Sequence, residues 1–216
     1  MDENSIFLLL FFDAAHFSNS IDGKVWAILA IVLNLPLSIR QAFLNIIPIL
    51  FWQGHVHENF NNIIKHHLKE LLEIIQTGIS CQIGSIKVSF KVIIGGLIGD
   101  AQGEAKLANS IQFNGKFGCL RCLNSGQMIK RTRIYPYNKD AQLRTNSLYK
   151  LQTLTASKSN ESCEGIKGEN LLSQFCEFPN AILIDSMHLF GIVKRLLFLW
   201  FDSKNSESSF YMGNIY

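Results

Sequence analysis

Two carboxylates stand at the ends of apolar runs, where they could together bind a divalent metal ion. Asp13 ends the run Ile6–Phe12, and Asp100 ends the glycine-punctuated run that starts at Lys91. Strand ends are where open sheets present their reactive groups. Two nearby carboxylates repel each other, and a divalent cation relieves that repulsion. Oxygen ligands suit Mg²⁺ or Mn²⁺, which can hold the attacking and leaving oxygens of a phosphodiester. Asp100 also has a simpler interpretation, because aspartate is a common N-cap of a following helix.

A second group of residues has metal-ligand chemistry. Cys119 and Cys122 have the CxxC spacing of half a structural zinc site. Zinc needs further ligands, and the sequence does not choose among Cys163, Cys176 and His188; two reduced, unliganded thiols are the alternative. A redox pair is disfavoured, because the motif lies in a loop and not at a strand-to-helix turn. Asp185 lies three residues before His188 at a predicted helix start, so Asp185 could serve simply as that helix's N-cap.

Positive charge is concentrated between Asp100 and Lys150, where the chain has nine basic residues and three acidic ones. Such a local excess suits an anionic partner, although a basic solvated loop would have the same composition. The residues that we predict to contact such a partner are Lys116, Arg121, Lys130, Arg131 and Arg133.

The periodicity along the chain predicts an α/β fold that would bring the two acids together. Three strands, a crossover helix, a fourth strand and a second helix are expected in that order, with Pro48 placing the third strand at an edge. Three antiparallel strands followed by a parallel one set the first and fourth side by side, which is the RNase H-like arrangement. The predicted elements are strands at Ile6–Phe12, Val25–Leu33, Phe43–Trp52 and Val92–Ile98, and helices at Phe60–Ile75 and Ala101–Ile111.

Beyond the predicted core, the chain changes character. Residues 114–177 are polar and show no sustained period, so they are expected to be irregular. A strong apolar stripe then predicts a helix over Leu189–Trp200. The predicted division is an RNase H-like core over 1–113, a basic irregular insertion containing the CxxC motif over 114–180, and a helical segment over 181–216.

Composition restricts the class of protein. The chain has 216 residues, 48% of them hydrophobic, a net charge of +3 and five cysteines. An odd number of scattered cysteines does not form the disulfide framework of a small secreted domain. No signal peptide is recognisable, and no apolar run approaches the roughly 18 residues of a membrane span. We therefore expect an intracellular, non-membrane protein, and the abrupt ends suggest a fragment.

The order of motifs resembles the transposases of CACTA (En/Spm-type) DNA transposons. The resemblance runs through nearly the whole chain, although each motif alone is weak. The matching segments are Phe12-Asp13, Val25-Trp26, Asn34-Leu-Pro36, Gly99-Asp100, Gln112–Cys122 (QFNGKFGCLRC), Arg133–Tyr137 (RIYPY), Gly165–Gly168 (GIKG), Ile184–His188 (IDSMH) and Gly191–Ser203.

The resemblance implies an RNase H-like catalytic core in which three acids (DDE) hold two metal ions, cut DNA at transposon ends and join the ends to a target. Asp13 then matches the first acid and Asp100 the second. Asp22 is a rival for the first, because the family usually has glycine after this acid and Ala14 follows Asp13. Asp185 and His188 match an Asp-x-x-His motif that the family carries before its third acid.

The third acid of that family is expected beyond the last residue of this chain, so the resemblance predicts a truncated and inactive transposase domain. It also implies DNA as partner, Mg²⁺ or Mn²⁺ as cofactor, zinc at Cys119 and Cys122, a nuclear location (otherwise cytoplasmic) and a homo-oligomer in the intact protein. The alternative from another class is a non-catalytic nucleic-acid-binding or interaction module of the same fold.

Overall fold

The computed structural model of the protein describes residues 4–15, 24–54 and 60–213. The chain forms two compact units, Met1–Leu183 and Ile184–Tyr216. The first unit has a mixed α/β fold built on a mixed sheet with helices. No helix among the described residues has the length and apolarity needed to cross a membrane.

A five-stranded sheet forms the centre of the first unit, in the order β3-β2-β1-β5-β4. The first three strands pair antiparallel with their neighbours, as predicted, and β1 pairs with β5 in parallel. The third strand lies at the edge, which is where a strand containing Pro48 is tolerated. The strands are β1 (Ser5–Ala15), β2 (Lys24–Val32), β3 (Ile46–Gly54), β4 (Ile79–Ile83) and β5 (Ile86–Gly99).

The helix predicted over Phe60–Ile75 is present as two shorter helices that meet at Leu68. The buried side chains Ile63, Ile64, Leu68 and Leu71 continue the apolar stripe across the break, which is why periodicity alone did not reveal it. The helices of the protein are α1 (Leu37–Arg40), α2 (Phe60–His67), α3 (Lys69–Thr77), α4 (Ala101–Leu107), α5 (Asn146–Ser159) and α6 (Ser186–Phe201).

The segment 114–177 is not irregular throughout, and that prediction was wrong. It contains the 14-residue helix α5 and a small hairpin of β6 (Gln127–Ile129) and β7 (Thr132–Ile134). The buried face of α5 has the helical spacing Tyr149, Gln152, Thr153 and Ala156, but two of these side chains are polar. Leu151 and Leu154 are both exposed. The hydrophobic period therefore did not mark the buried face.

The hydrophobic core contains side chains from the sheet, from α2–α5 and from the segment that follows α5. Phe12 stacks on Trp26 with ring centroids 5.1 Å apart, and Tyr149 stacks on Phe178 at 5.2 Å. Residues 181–183 lie beside the second half of β5 in parallel orientation. Leu97 N donates to Ala181 O, and Leu183 N donates to Leu97 O, both at 2.8 Å.

A buried polar cluster fastens the C-terminal end of α4 to α5. The Tyr149 hydroxyl donates to Ala108 O at 2.8 Å. Asn170 Nδ2 donates both to Leu107 O and to the Tyr149 hydroxyl oxygen, each at 2.8 Å. Burial raises the pKa of Tyr149 to about 12. The cluster satisfies carbonyls that the end of a helix leaves without partners.

In the second unit, α6 confirms the predicted helix, with Asp185 as its N-cap. The chain after the helix folds back locally, because Met212 N donates to Trp200 O at 2.7 Å and Asn205 Nδ2 donates to Phe198 O at 3.0 Å.

We predict that Asn170→Ala destabilises the first unit by about 3 kcal/mol, because it removes the two bonds from Nδ2 and the bond that Oδ1 accepts from Leu172 N, all buried. Urea unfolding monitored by circular dichroism measures the loss. Asn114→Ala, which truncates an exposed asparagine, is the matched control and should change the free energy of unfolding by less than about 0.5 kcal/mol. Equal effects of the two variants would contradict a structural role for the cluster.

Candidate functional site

The parallel pairing of β1 and β5 places Asp13 and Asp100 at the same end of two neighbouring strands. The register runs to Phe12 opposite Gly99; Asp13 is the next residue of β1, and Asp100 is the first residue after β5. Neighbouring strands are about 4.8 Å apart. The two acids that sequence reasoning selected are therefore neighbours across the sheet.

The start of α4 packs directly against β1 at this point. A Cβ added at Gly103 would lie 3.1 Å from Phe12 O and 3.2 Å from Asp100 Oδ1. A Cβ added at Gly99 would also lie 3.1 Å from Phe12 O. Glycine at both positions lets Asp100 and its helix approach the carbonyl that precedes Asp13. Gly103, which the sequence did not single out, is therefore part of the site.

Asp100 caps α4, as the simpler interpretation of its position predicted. Its Oδ1 accepts a hydrogen bond from Gly103 N at 2.6 Å. Asp13 is exposed, and its Oδ1 accepts from Ala14 N at 2.7 Å. Among the described residues, the second oxygen of each carboxylate has no hydrogen-bond partner. Capping and metal binding are thus compatible at Asp100, and two carboxylates with available oxygens fit the ligand chemistry of Mg²⁺ or Mn²⁺.

No group of three or more His, Cys, Asp or Glu side chains able to hold a metal ion occurs in the part of the chain that the structure describes. Glu104 lies one turn after Asp100 on α4, and its Oε1 is 3.7 Å from Arg121 Nη2. Asp22, the rival for the first acid, lies outside the described residues.

Cys119 and Cys122 lie together in a loop that pairs with residues 142–144. Leu123 N donates to Gln142 O, and Arg144 N donates to Arg121 O, both at 2.9 Å. Burial, reinforced by the Cys119 side chain, raises the pKa of the Cys122 thiol. The CxxC spacing therefore brings two thiols together, as the sequence predicted.

The CxxC loop is held by Arg144, a residue that sequence reasoning counted only as part of the basic excess. Its buried guanidinium donates to the carbonyls of Leu120 (3.2 Å), Cys119 (3.4 Å) and Glu164 (3.0 Å) and to Gln152 Oε1. Gln152 Nε2 in turn donates to Glu164 Oε2 at 2.5 Å. Burial lowers the pKa of Arg144. No local sequence motif indicates this role of Arg144, because the partners of Arg144 come from three separate segments.

Neither Cys163 nor Cys176 joins the two thiols in a group that could hold a metal. Cys176 Sγ donates to Leu172 O at 3.2 Å, and burial raises the pKa of its thiol to about 12. Cys163 forms a tight turn with Ile166, in which each backbone N–H donates to the other carbonyl. Zinc at the CxxC motif stays a prediction.

In the second unit, Asp185 and His188 form a local pair. Asp185 Oδ2 lies 2.8 Å from His188 Nδ1, and Asp185 Oδ1 accepts from Met187 N at 2.9 Å. Burial by itself would raise the pKa of Asp185, but the hydrogen bonds from His188 and Met187 lower it overall. The N-cap interpretation of Asp185 is confirmed, and His188 is exposed.

The five basic residues selected as DNA contacts divide into two groups. Arg121 Nη1 donates to Pro179 O at 3.0 Å, and Arg133 Nη1 donates to Ser125 O at 2.9 Å, so both guanidinium groups hold the fold. Lys130 and Arg131 are exposed at the turn of the β6–β7 hairpin. Lys116 is exposed, with its Nζ 5.4 Å from the centroid of the Phe117 ring.

The sequence matches no model of a known protein family, and no curated protein matches it. The functional assignment therefore depends on the paired acids, the exposed charges and the order of motifs along the chain.

The cysteines should differ strongly in reactivity. At pH 8, a thiol with a pKa of about 12 is thiolate in on the order of 1 molecule in 10,000. We therefore expect iodoacetamide to label exposed Cys81 within minutes and to leave Cys176 unlabelled in the folded protein, as followed by peptide mass spectrometry. Labelling in urea is the control, and there both thiols should react. Rapid labelling of Cys176 without denaturant would contradict its burial.

Proposed function

We propose that this chain is a transposase-derived domain of RNase H-like fold that binds DNA and a divalent metal ion. Its ancestral reaction would be metal-dependent DNA cleavage and strand transfer, and this chain would not catalyse it. The observation that carries the proposal is the register of β1 and β5, which sets Asp13 beside Asp100 at one end of the sheet.

The strand order supports the RNase H-like assignment. Three antiparallel strands are followed by a parallel strand that pairs with the first. Residues 181–183 then add a further short parallel stretch beside β5. The three antiparallel strands and the parallel pair were expected from the order of the apolar runs, and the resemblance to CACTA transposases implies an RNase H-like core.

Asp13 and Asp100 would hold the metal ion through the carboxylate oxygens that their local hydrogen bonds leave available. Bound there, Mg²⁺ or Mn²⁺ would supply charge stabilisation for the oxygens of a phosphodiester. The cap from Gly103 N fixes the Asp100 carboxylate, and the packing of Gly103 on Phe12 fixes its distance from β1. Two acids give fewer ligands than the three that the resemblance implies, so we expect weak metal binding and no cleavage.

The β6–β7 hairpin is the element that best fits DNA. A two-stranded ribbon can enter the major groove, and this one exposes Lys130 and Arg131 at its turn. Neither side chain forms an ion pair with a described residue. Arg133 donates to Ser125 O and so fixes the base of the hairpin that carries the charged turn.

A second candidate is a non-catalytic DNA-binding module that has kept the fold but does not use the acids. The capping hydrogen bond of Asp100 favours it, because a cap alone would explain this aspartate. Zinc at Cys119 and Cys122 and a nuclear location are part of both proposals and follow from the resemblance.

Substituting Asp100 by serine separates the two candidates. Serine is also a good N-cap but has no carboxylate, so Asp100→Ser should keep the free energy of unfolding within about 1 kcal/mol. It should weaken Mn²⁺ binding at least about tenfold, as measured by electron paramagnetic resonance of free Mn²⁺. Asp140→Ser, which removes an exposed acid in a turn, is the matched control and should bind Mn²⁺ like the unmodified protein.

If Asp100→Ser binds Mn²⁺ as tightly as the unmodified protein, Asp100 acts only as a helix cap, and the non-catalytic DNA-binding module is favoured. The same proteins incubated with Mn²⁺ and single- or double-stranded DNA should leave the DNA intact. If the unmodified protein cleaves the DNA and Asp100→Ser does not, the chain is an active nuclease and the proposal that it is inactive is wrong.

Replacing both Lys130 and Arg131 by alanine should weaken binding to duplex DNA and reduce the slope of log affinity against log salt by about 2, because each lost phosphate contact removes about one unit. Fluorescence anisotropy at several salt concentrations measures both quantities. The control removes two exposed charges from helices, Lys69→Ala with Lys158→Ala. An equal loss in that control would mean that general charge, and not the hairpin, attracts DNA.

A further inference from the structure

A pocket of about 420 Å³ is lined in part by Cys119 and Cys122 of the CxxC loop, and three of its ten lining residues are aromatic. Phe113, Tyr135, Pro136 and Tyr137 supply rings, and Asn124 and Asn138 supply amide groups. Small-molecule sites usually measure about 300–1,000 Å³, so this pocket has the size of one. Flat rings with a few amides are the surroundings in which proteins bind nucleobases.

One wall of the pocket is held in place before any ligand arrives. The Tyr135 hydroxyl accepts from Gly118 N at 2.8 Å and donates to Gly115 O. Asn124 Nδ2 donates to Pro136 O at 3.1 Å, and Asn124 Oδ1 accepts from Gly126 N at 2.9 Å. A ligand stacking on this wall would not have to order it, which favours affinity.

By contrast, Tyr137 presents its ring to solvent and is 93% exposed. Phe113 is 51% exposed. Asn138 Oδ1 accepts from Asp140 N at 3.0 Å, while Asn138 Nδ2 donates to no described atom. The pocket thus combines exposed ring surface for stacking with an amide donor that is available to a base edge.

The charges around the pocket suit a phosphate backbone. No acidic side chain is among the residues that line it. Lys116 comes two residues before the lining residue Gly118, and Lys139 directly follows Asn138. Neither lysine forms an ion pair with a described residue, so both are available to a phosphate backbone.

We propose that this pocket binds one unstacked nucleobase of a single DNA strand, with Tyr137 and Phe113 supplying stacking surfaces and Asn138 Nδ2 donating to the base edge. The proposal rests on DNA being the partner of this domain. It goes beyond the paired acids and the hairpin, because it adds a site that recognises a strand whose bases are not paired.

The test uses a short single-stranded DNA that contains 2-aminopurine, whose fluorescence is quenched by stacking. The unmodified chain should quench the probe on binding. Tyr137→Ala should bind about tenfold more weakly and lose the quenching, the effect of removing one base–aromatic stack. Tyr137→Phe keeps the ring and should behave like the unmodified chain. Phe43→Ala is the control, because it removes another highly exposed ring, 87% exposed, that does not line the pocket.

Each other outcome overturns a defined part of the proposal. If the strand binds without quenching, or if Tyr137→Ala binds as tightly as the unmodified chain, the base pocket is wrong and DNA binding stands. An equal loss in Phe43→Ala would assign the effect to exposed rings in general. Quenching of the free 2-aminopurine nucleoside at the same concentration would mean a nucleoside site and not a strand site. If neither single-stranded nor duplex DNA binds at all, the base pocket and the proposed function both fail.

Discussion

The parallel pairing of β1 with β5 is the constraint on which the rest of the first unit depends. A parallel pair cannot be made by a hairpin, so the chain between the two strands must cross over. Here the chain between them passes through β2, α1, β3, α2, α3 and β4, and the pair brings Phe12 opposite Gly99. The register shifts by one residue between Leu8 and Leu9. Because a further shift would turn the following side chains to the other face, the buried side chains beyond that point fix the register, and with it the two acids.

The position of Asp100 also depends on the close approach of α4 to β1, and contacts at both ends of the helix hold it there. At the start, glycine at 103 gives the room that brings the helix onto Phe12. At the far end, Tyr149 and Asn170 bind the carbonyls of Leu107 and Ala108. The long segment after α4 is therefore not an appendage: it closes the helix that presents Asp100.

Sequence reasoning predicted the sheet well because apolar runs and strand ends are local signals. It placed β1, β2 and the strand before Asp100 correctly, and it put Asp13 and Asp100 side by side. It missed α5, because polar Gln152 and Thr153 occupy the buried face of that helix; Gln152 binds Glu164, which only the folded chain brings near, and Thr153 donates to Tyr149 O one turn earlier. Arg144 was missed for the same reason: a buried arginine looks in sequence like an exposed one.

The distribution of fixed and exposed charges in the insertion bears on what the surface can bind. Arg121, Arg133 and Arg144 each donate to backbone carbonyls, and a guanidinium with several donors in a fixed plane suits that work. The exposed positive charges are mostly lysines together with Arg131, on flexible side chains that can follow a phosphate backbone. Counting basic residues therefore overestimates the charge available to DNA. Available charge occurs at the hairpin turn, whereas the exposed ring surface on which single-stranded nucleic acids can stack occurs at the rim of the aromatic pocket.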